Sequence, residues 1–165
     1  MTTTSNNAIE DEFRRMDADG DGLVDLTDFL RAPRKLLAAL DIPEDAPKAQ
    51  ALMRANETQW ASFLSLGDAD DDGALTADEY VTTRTSPAFR SPSRPGKGEV
   101  CQTLFDVLDG DDSGTISQDE FLRAADFLCM PRTEASSYFA SLDTDNDGQL
   151  SAKEFLKAVK RFYTS

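Results

Sequence analysis

The chain has 165 residues with 31 acidic and 17 basic side chains, a formal net charge of −14 and no histidine. The missing imidazole excludes Ser/His and Cys/His nucleophiles, a histidine base and the usual zinc sites, and nothing in the charge favours a nucleic-acid partner. Hydrophobic residues make up 39% with ten phenylalanines, enough for one compact domain or two small ones.

In chain order, a first helix is predicted from Asn7, where Glu10 completes a capping box, and it carries Phe13 and Met16 into an acidic loop at 17–28. That loop holds Asp17, Asp19, Asp21, Leu23, Asp25 and Asp28, with Gly22 and Val24 between them. The outgoing helix begins with Phe29 and Leu30 and meets Pro33, where a kink or restart is expected before Leu36, Leu37 and Leu40. Pro43 and Pro47 mark a turn. A long helix then runs to about Leu66, with Leu52, Met53, Trp60, Phe63 and Leu64 on one face, and Trp60 reads as core.

The second acidic loop, 68–79, holds Asp68, Asp70, Asp72, Ala74 and Glu79 with Gly73 and Leu75. Before the other loops a Phe stands four residues ahead (Phe13, Phe105, Phe139). Here Gly67 is inserted and moves Phe63 one place further back, which predicts a local unwinding of the helix end. Residues 80–98 carry no acid, three prolines (Pro87, Pro92, Pro95) and Arg84, Arg90, Arg94 and Lys97, the pattern of a linker whose charge balances the acidic loops.

A helix over 99–108 leads into the third loop, 109–120, with Asp109, Asp111, Ser113, Thr115 and Glu120 around Gly114 and Ile116. Phe121, Leu122 and Ala125 continue outward to about Met130, Pro131 breaks the helix, and Thr133 is placed to cap the next. Phe139 and Leu142 lead into the fourth loop, 143–154, with Asp143, Asp145, Asp147, Gln149 and Glu154 around Gly148 and Leu150. The last helix aligns Phe155, Leu156, Val159 and Phe162. Cys101 and Cys129 fall at the far ends of two diverging helices, so two buried thiols outside any disulfide are expected, in keeping with a reducing compartment.

The four loops share one register. Oxygen side chains stand at positions 1, 3, 5 and 12, a backbone carbonyl serves at 7, Gly stands at 6, and position 8 is apolar each time. A hard cation needs six to eight oxygens at roughly 2.3–2.6 Å; alternating carboxylates converge on one point, and Gly permits the sharp turn. The loops hold 20 of the 31 acids and one basic residue, Lys153, so the rest of the chain is net positive. The negative charge is concentrated where cations are wanted, and up to four Ca²⁺ are expected. Asp28, one methylene shorter than the Glu of the other loops, favours six-coordination and tolerance of Mg²⁺ in loop 17–28. Loop 109–120, with Ser113 at position 5, has the fewest carboxylates among its ligands and is ranked weakest. Thr76, Ser117 and Ser151 each stand three residues before a Glu, so position 9 doubles as a helix cap. Apolar position 8 predicts that loops pair as short ladders, first with second and third with fourth.

These are helix–loop–helix calcium motifs, and the chain is identified as a four-EF-hand calcium-binding protein. The unequal spacing of its loops and the Pro-rich middle resemble the sarcoplasmic calcium-binding proteins and calerythrin. The resemblance implies an all-α EF-hand fold, two pairs of hands packed into a compact globule, with an N-terminal pair at 1–84, a linker at 85–98 and a C-terminal pair at 99–165. It implies a calcium buffer or signal modulator, not an enzyme. The alternative is a sensor that exposes an apolar groove to grip a target protein; the scarcity of methionine disfavours it. Calcium-triggered photoproteins share the architecture, but their chromophore site relies on histidines, which this chain lacks. The polar, uncharged opening residues give no signal peptide, Thr2 excludes N-myristoylation, and no apolar run reaches the length of a membrane span, so a cytoplasmic monomer is expected.

Overall fold

The computed structural model describes residues 3–91, 93–125 and 132–162. Among these, eight α-helices carry the fold, four very short strands join the loops, and no helix is long and apolar enough to cross a membrane. The helices are α1 (Thr3–Met16), α2 (Leu26–Ala39), α3 (Pro47–Gly67), α4 (Ala77–Thr85), α5 (Lys97–Leu108), α6 (Gln118–Ala125), α7 (Arg132–Leu142) and α8 (Ala152–Phe162). The strands are β1 (Leu23–Val24), β2 (Leu75–Thr76), β3 (Thr115–Ser117) and β4 (Gln149–Ser151), and a 3-10 turn spans Pro87–Arg90. The fold is all-α, of the EF-hand class.

Several boundaries differ from the sequence reading. α1 begins at Thr3, not Asn7, because no Gly or Pro interrupts the preceding residues. Pro47 opens α3 at the position where its missing N–H costs nothing. α2 passes through Pro33 without a restart. An internal proline costs about 3 kcal/mol. Leu36 and Leu37, each 1% exposed, stand one turn beyond it, and burying a leucine is worth roughly 1.5–3 kcal/mol; together they offset the proline. α7 begins at Arg132, so Thr133 lies inside the helix. Cys129, Met130, Pro131 and Pro92 lie outside the described residues, as does the packing expected of Val159 and Phe162.

The expected unwinding at Gly67 does not occur. α3 remains helical through Gly67, and Asp68 N–H still donates to the Leu64 carbonyl at 3.0 Å. The glycine has a different cause: a Cβ there would stand 1.9 Å from Thr83 Oγ1 and 2.7 Å from the Glu79 carbonyl. The end of α3 therefore lies directly against α4, and only Gly fits.

The chain divides into two units, residues 1–31 with 55–98 and residues 32–54 with 99–165. In the first, Phe13, Val24, Trp60, Phe63, Leu75, Tyr80 and Phe89 form one buried cluster, with Phe29 packed at its edge. Trp60 is 4% exposed and is core, as its helical spacing indicated. Phe89 comes from the segment expected as a linker. It meets Phe63 edge-to-face at 5.1 Å between centroids, and the Arg84 and Arg94 guanidiniums each lie 4.5 Å from its ring centroid. Further along, Gly96 (φ +81°) crosses α3 so closely that a Cβ would stand 2.5 Å from the Gln59 nitrogen. The 85–98 segment is thus a packed part of the first unit. Glu12 on α1 and Arg84 on α4 pair at 2.7 Å, with Tyr80 Oη donating to Glu12 at 3.1 Å, which ties the first helix to the fourth.

In the second unit, Leu36, Leu37, Ala49 and Leu52 join Phe105, Val107, Leu108, Ile116, Phe121, Ala124, Ala135, Phe139, Leu150 and Phe155. Residues 32–54, which the sequence grouped with the N-terminal pair, cluster here because their apolar face packs on the third and fourth hands. Cys101 is buried in α5, as expected.

Candidate metal centres

Each loop begins where a helix ends, and the end is marked by the N–H of position 1 still bonded to the helix: Asp17 to Phe13, Asp68 to Leu64, Asp109 to Phe105 and Asp143 to Phe139, at 2.8–3.0 Å. The position-1 carboxylate then turns inward. Its Oδ2 accepts the N–H of position 6 in every loop: Gly22 at 3.0 Å, Gly73 at 3.1 Å, Gly114 at 2.8 Å and Gly148 at 2.9 Å. These glycines have φ of 87°, 86°, 83° and 82°. A Cβ on any of them would meet nothing within 4 Å, so the left-handed backbone, not crowding, selects glycine here.

Position 5 fixes position 7. Leu23, Ala74 and Gln149 N–H groups each donate to the Oδ1 of Asp21, Asp72 and Asp147 at 2.8 Å, while in the third loop Thr115 reaches Ser113 Oγ only at 3.4 Å. The hydroxyl instead donates to the Thr115 carbonyl at 3.0 Å.

Position 12 closes the circle. One oxygen accepts the N–H of position 2 and the other the N–H of position 9. For Glu79 these are Ala69 and Thr76, both at 2.9 Å; for Glu120, Gly110 and Ser117, both at 2.8 Å; for Glu154, Thr144 at 2.8 Å and Ser151 at 3.0 Å. Asp28, a methylene shorter, reaches Ala18 at 3.1 Å and Asp25 at 3.4 Å. The hydroxyls of Thr76, Ser117 and Ser151 donate to the same carboxylates and accept the N–H groups of Glu79, Glu120 and Glu154 at 3.3–3.4 Å, capping the outgoing helices. In the first loop Asp25 takes the capping role, its Oδ1 accepting the Asp28 N–H at 2.9 Å.

Four groups of carboxylates result among the described residues, each with oxygens within 4.8 Å of one another: Asp17, Asp19 and Asp28; Asp68, Asp70 and Asp72; Asp109, Asp111 and Glu120; Asp143, Asp145 and Glu154. Each of these residues was picked out in the sequence. Such crowding has electrostatic consequences. Asp72 above all, with burial, Glu79 and Asp68, raises the Asp70 pKa. Burial first, then Asp147, Glu154 and Asp143, raises that of Asp145. Position 12 responds oppositely, since the donors of Ser151 and Thr144 hold the Glu154 pKa at about 2. Ser113 likewise holds Asp111 below the usual carboxylate range.

A divalent cation fits this arrangement. Asp68 Oδ1 is shut away from water with no hydrogen-bond partner. Such an atom is costly unless a positive charge satisfies it, and it belongs to the first residue of the loop.

The loops also meet in pairs. Val24 stands opposite Leu75 and Ile116 opposite Leu150 in two antiparallel ladders. Two contacts carried no sequence signal. Lys48, distant in sequence, reaches the third loop. Thr115 Oγ1 of the third loop also hydrogen-bonds Gln149 Oε1 of the fourth.

The EF-hand domain pair family matches residues 98–160, and the EF hand family matches residues 9–32. Calerythrin of Saccharopolyspora erythraea is 26% identical over 143 residues, which is 84% of this chain and 81% of calerythrin. A Streptomyces coelicolor calcium-binding protein, studied for prokaryotic calcium-mediated regulation, matches with a TM-score of 0.73 and 28% identity, covering 94% of this chain and 95% of that one. The Ca²⁺-loaded apoprotein of the photoprotein berovin from Beroe abyssicola matches in fold, with a TM-score of 0.72 and 21% identity over 96% of this chain and 87% of that one.

Proposed function

Since this chain is a four-EF-hand calcium-binding protein resembling calerythrin and the sarcoplasmic calcium-binding proteins, we propose that it works as a calcium buffer or signal modulator and not as a sensor. The observation that carries this reading is the covered apolar surface. Among the described residues, Leu26 at 37% is the one large hydrophobic side chain that is exposed. In the first unit the chain's own Phe89 completes the apolar cluster of the two hands. A sensor needs an apolar groove for its partner, usually rich in methionine. Here such a face is filled from within.

The ligands assigned to the four ions are the carboxylates and hydroxyl of positions 1, 3, 5 and 12: Asp17, Asp19, Asp21 and Asp28; Asp68, Asp70, Asp72 and Glu79; Asp109, Asp111, Ser113 and Glu120; Asp143, Asp145, Asp147 and Glu154. The carbonyls of Leu23, Ala74, Thr115 and Gln149 complete them, with Asp25 at position 9 of the first loop. Mg²⁺ competes in loop 17–28, where Asp28 spans the loop at longer range. The protein is a cytoplasmic monomer without enzymatic activity.

Calcium titration in the presence of an apolar-surface dye tests the buffer reading. Dye fluorescence is expected to stay low throughout. A large calcium-dependent rise would mean that a groove opens, and the sensor reading with a target protein would replace it.

A further inference from the structure

We propose that Lys48 is a positioning residue for the third calcium loop, holding its first turn from outside so that a loop short of carboxylates is ready for the ion. The inference rests on the reading of residues 109–120 as a calcium site.

The ammonium of Lys48 donates to the Asp109 carbonyl at 2.6 Å and pairs with Asp112 Oδ1 at 2.7 Å. Both contacts fall at the turn that opens the loop. Asp109 directly follows α5, and a cation at a helix C-terminus meets unsatisfied carbonyls and the negative end of the helix dipole. Asp112 is position 4, a left-handed residue with φ +58°. Its counterparts Gly20, Asp71 and Asn146 share that conformation. The Lys48–Asp112 ion pair reaches the calcium loop from a helix outside it.

The third loop is also the one whose position 5 is a neutral hydroxyl, which donates to the Thr115 carbonyl at 3.0 Å. Its position-5 hydroxyl accepts the Thr115 N–H at 3.4 Å, where the other loops have a carboxylate at 2.8 Å. The anchor behind Lys48 is firm. Ala49 and Leu52 of the same helix are buried in the core of that unit, and Leu40, Ile42 and Ala46 pack against it. A lysine so placed positions the loop without being a ligand.

Charge alone argues the other way, because removing a nearby cation strengthens attraction for Ca²⁺. The experiment must cancel that effect. Replacing both partners, K48M with D112N, removes one positive and one negative charge, and Asn tolerates the left-handed backbone. The readout is the amide resonance of Gly114, whose N–H donates to Asp109 Oδ2 at 2.8 Å and so reports on the third and fourth loops, this one most directly. The Gly22 amide reports on loop 17–28 in the same sample.

In a calcium titration of the full chain, the Gly114 midpoint in K48M/D112N is expected to move to roughly three- to tenfold higher calcium, the net worth of the one hydrogen bond to Asp109, since the pair with exposed Asp112 adds little. The Gly22 midpoint stays at its wild-type value, a result general destabilisation would not produce. K48R is expected to retain most of the affinity. An unchanged or lower Gly114 midpoint in the double variant overturns the role of Lys48. A wild-type Gly114 amide that ignores calcium overturns the site itself, and the proposal with it.

Discussion

Ile116 faces Leu150 across the β3–β4 ladder, and neither exposes any surface. Each loop therefore closes against the apolar side chain of its partner, so what disturbs one ligand set reaches the other. Ile116→Ala is predicted to cost about 2–5 kcal/mol in urea denaturation of the calcium-loaded protein. It should also weaken calcium binding in loop 143–154, where no ligand has changed. A loss confined to loop 109–120 would contradict the pairing argument.

The glycines separate two causes that sequence alone presents as one. Gly148 (φ +82°) has open space around it, so Gly148→Ala should cost about 1–2 kcal/mol of backbone strain and no relief should come from trimming neighbours. Gly67→Ala collides with Thr83 and is predicted to cost about 1–3 kcal/mol. Adding Thr83→Ala should recover part of that loss, the Glu79 carbonyl at 2.7 Å being the remainder. Thermal melts of the single and double variants check both.

Asp28 spans its loop at 3.1 and 3.4 Å, where the glutamates elsewhere do so at 2.8–3.0 Å. Asp28→Glu is expected to raise the preference of loop 17–28 for Ca²⁺ over Mg²⁺ by on the order of tenfold, about 1.4 kcal/mol. Competition calorimetry gives the ratio directly. If Mg²⁺ fails to compete in the parent protein, the short acid is not what sets selectivity.

Acid should unfold the calcium-free protein through position 12. Glu154 lies at about 2 when folded against an ordinary 4.5, and Glu79 and Glu120 are lowered too. A depressed carboxylate stabilises the fold above its unfolded pKa and loses that contribution as pH falls through the folded value, here from 4.5 toward 2. Asp70 and Asp145, both raised, act oppositely, the first chiefly because protonation relieves repulsion from Asp72 and the second chiefly because burial disfavours its charge. Melting temperature of Glu154→Gln should therefore fall less than that of the parent across this window. Parallel declines would remove Glu154 from the account.

The loops were legible because every position answers to a local cause. The glycine at 6 answers to φ, the carboxylates to a cation, and the apolar residue at 8 to its ladder partner. Val24, Leu75, Ile116 and Leu150 came from that register alone. What escaped was set by distant packing. Pro33 reads as a kink or restart, yet buried Leu36 and Leu37 carry the helix past it, and Gly67 reads as an unwinding, yet Thr83 stands against it. The 85–98 segment reads as a linker by composition, yet Phe89 and Arg94 are buried. Lys48 lies 61 residues from Asp109, and no spacing rule connects them.

Calorimetric titration of the calcium-free protein with Ca²⁺, repeated in excess Mg²⁺, bears most directly on the whole account. Four carboxylate groups predict four calcium ions per chain, with one site visibly weakened by Mg²⁺. Two ions or fewer, or no heat attributable to binding, would contradict it.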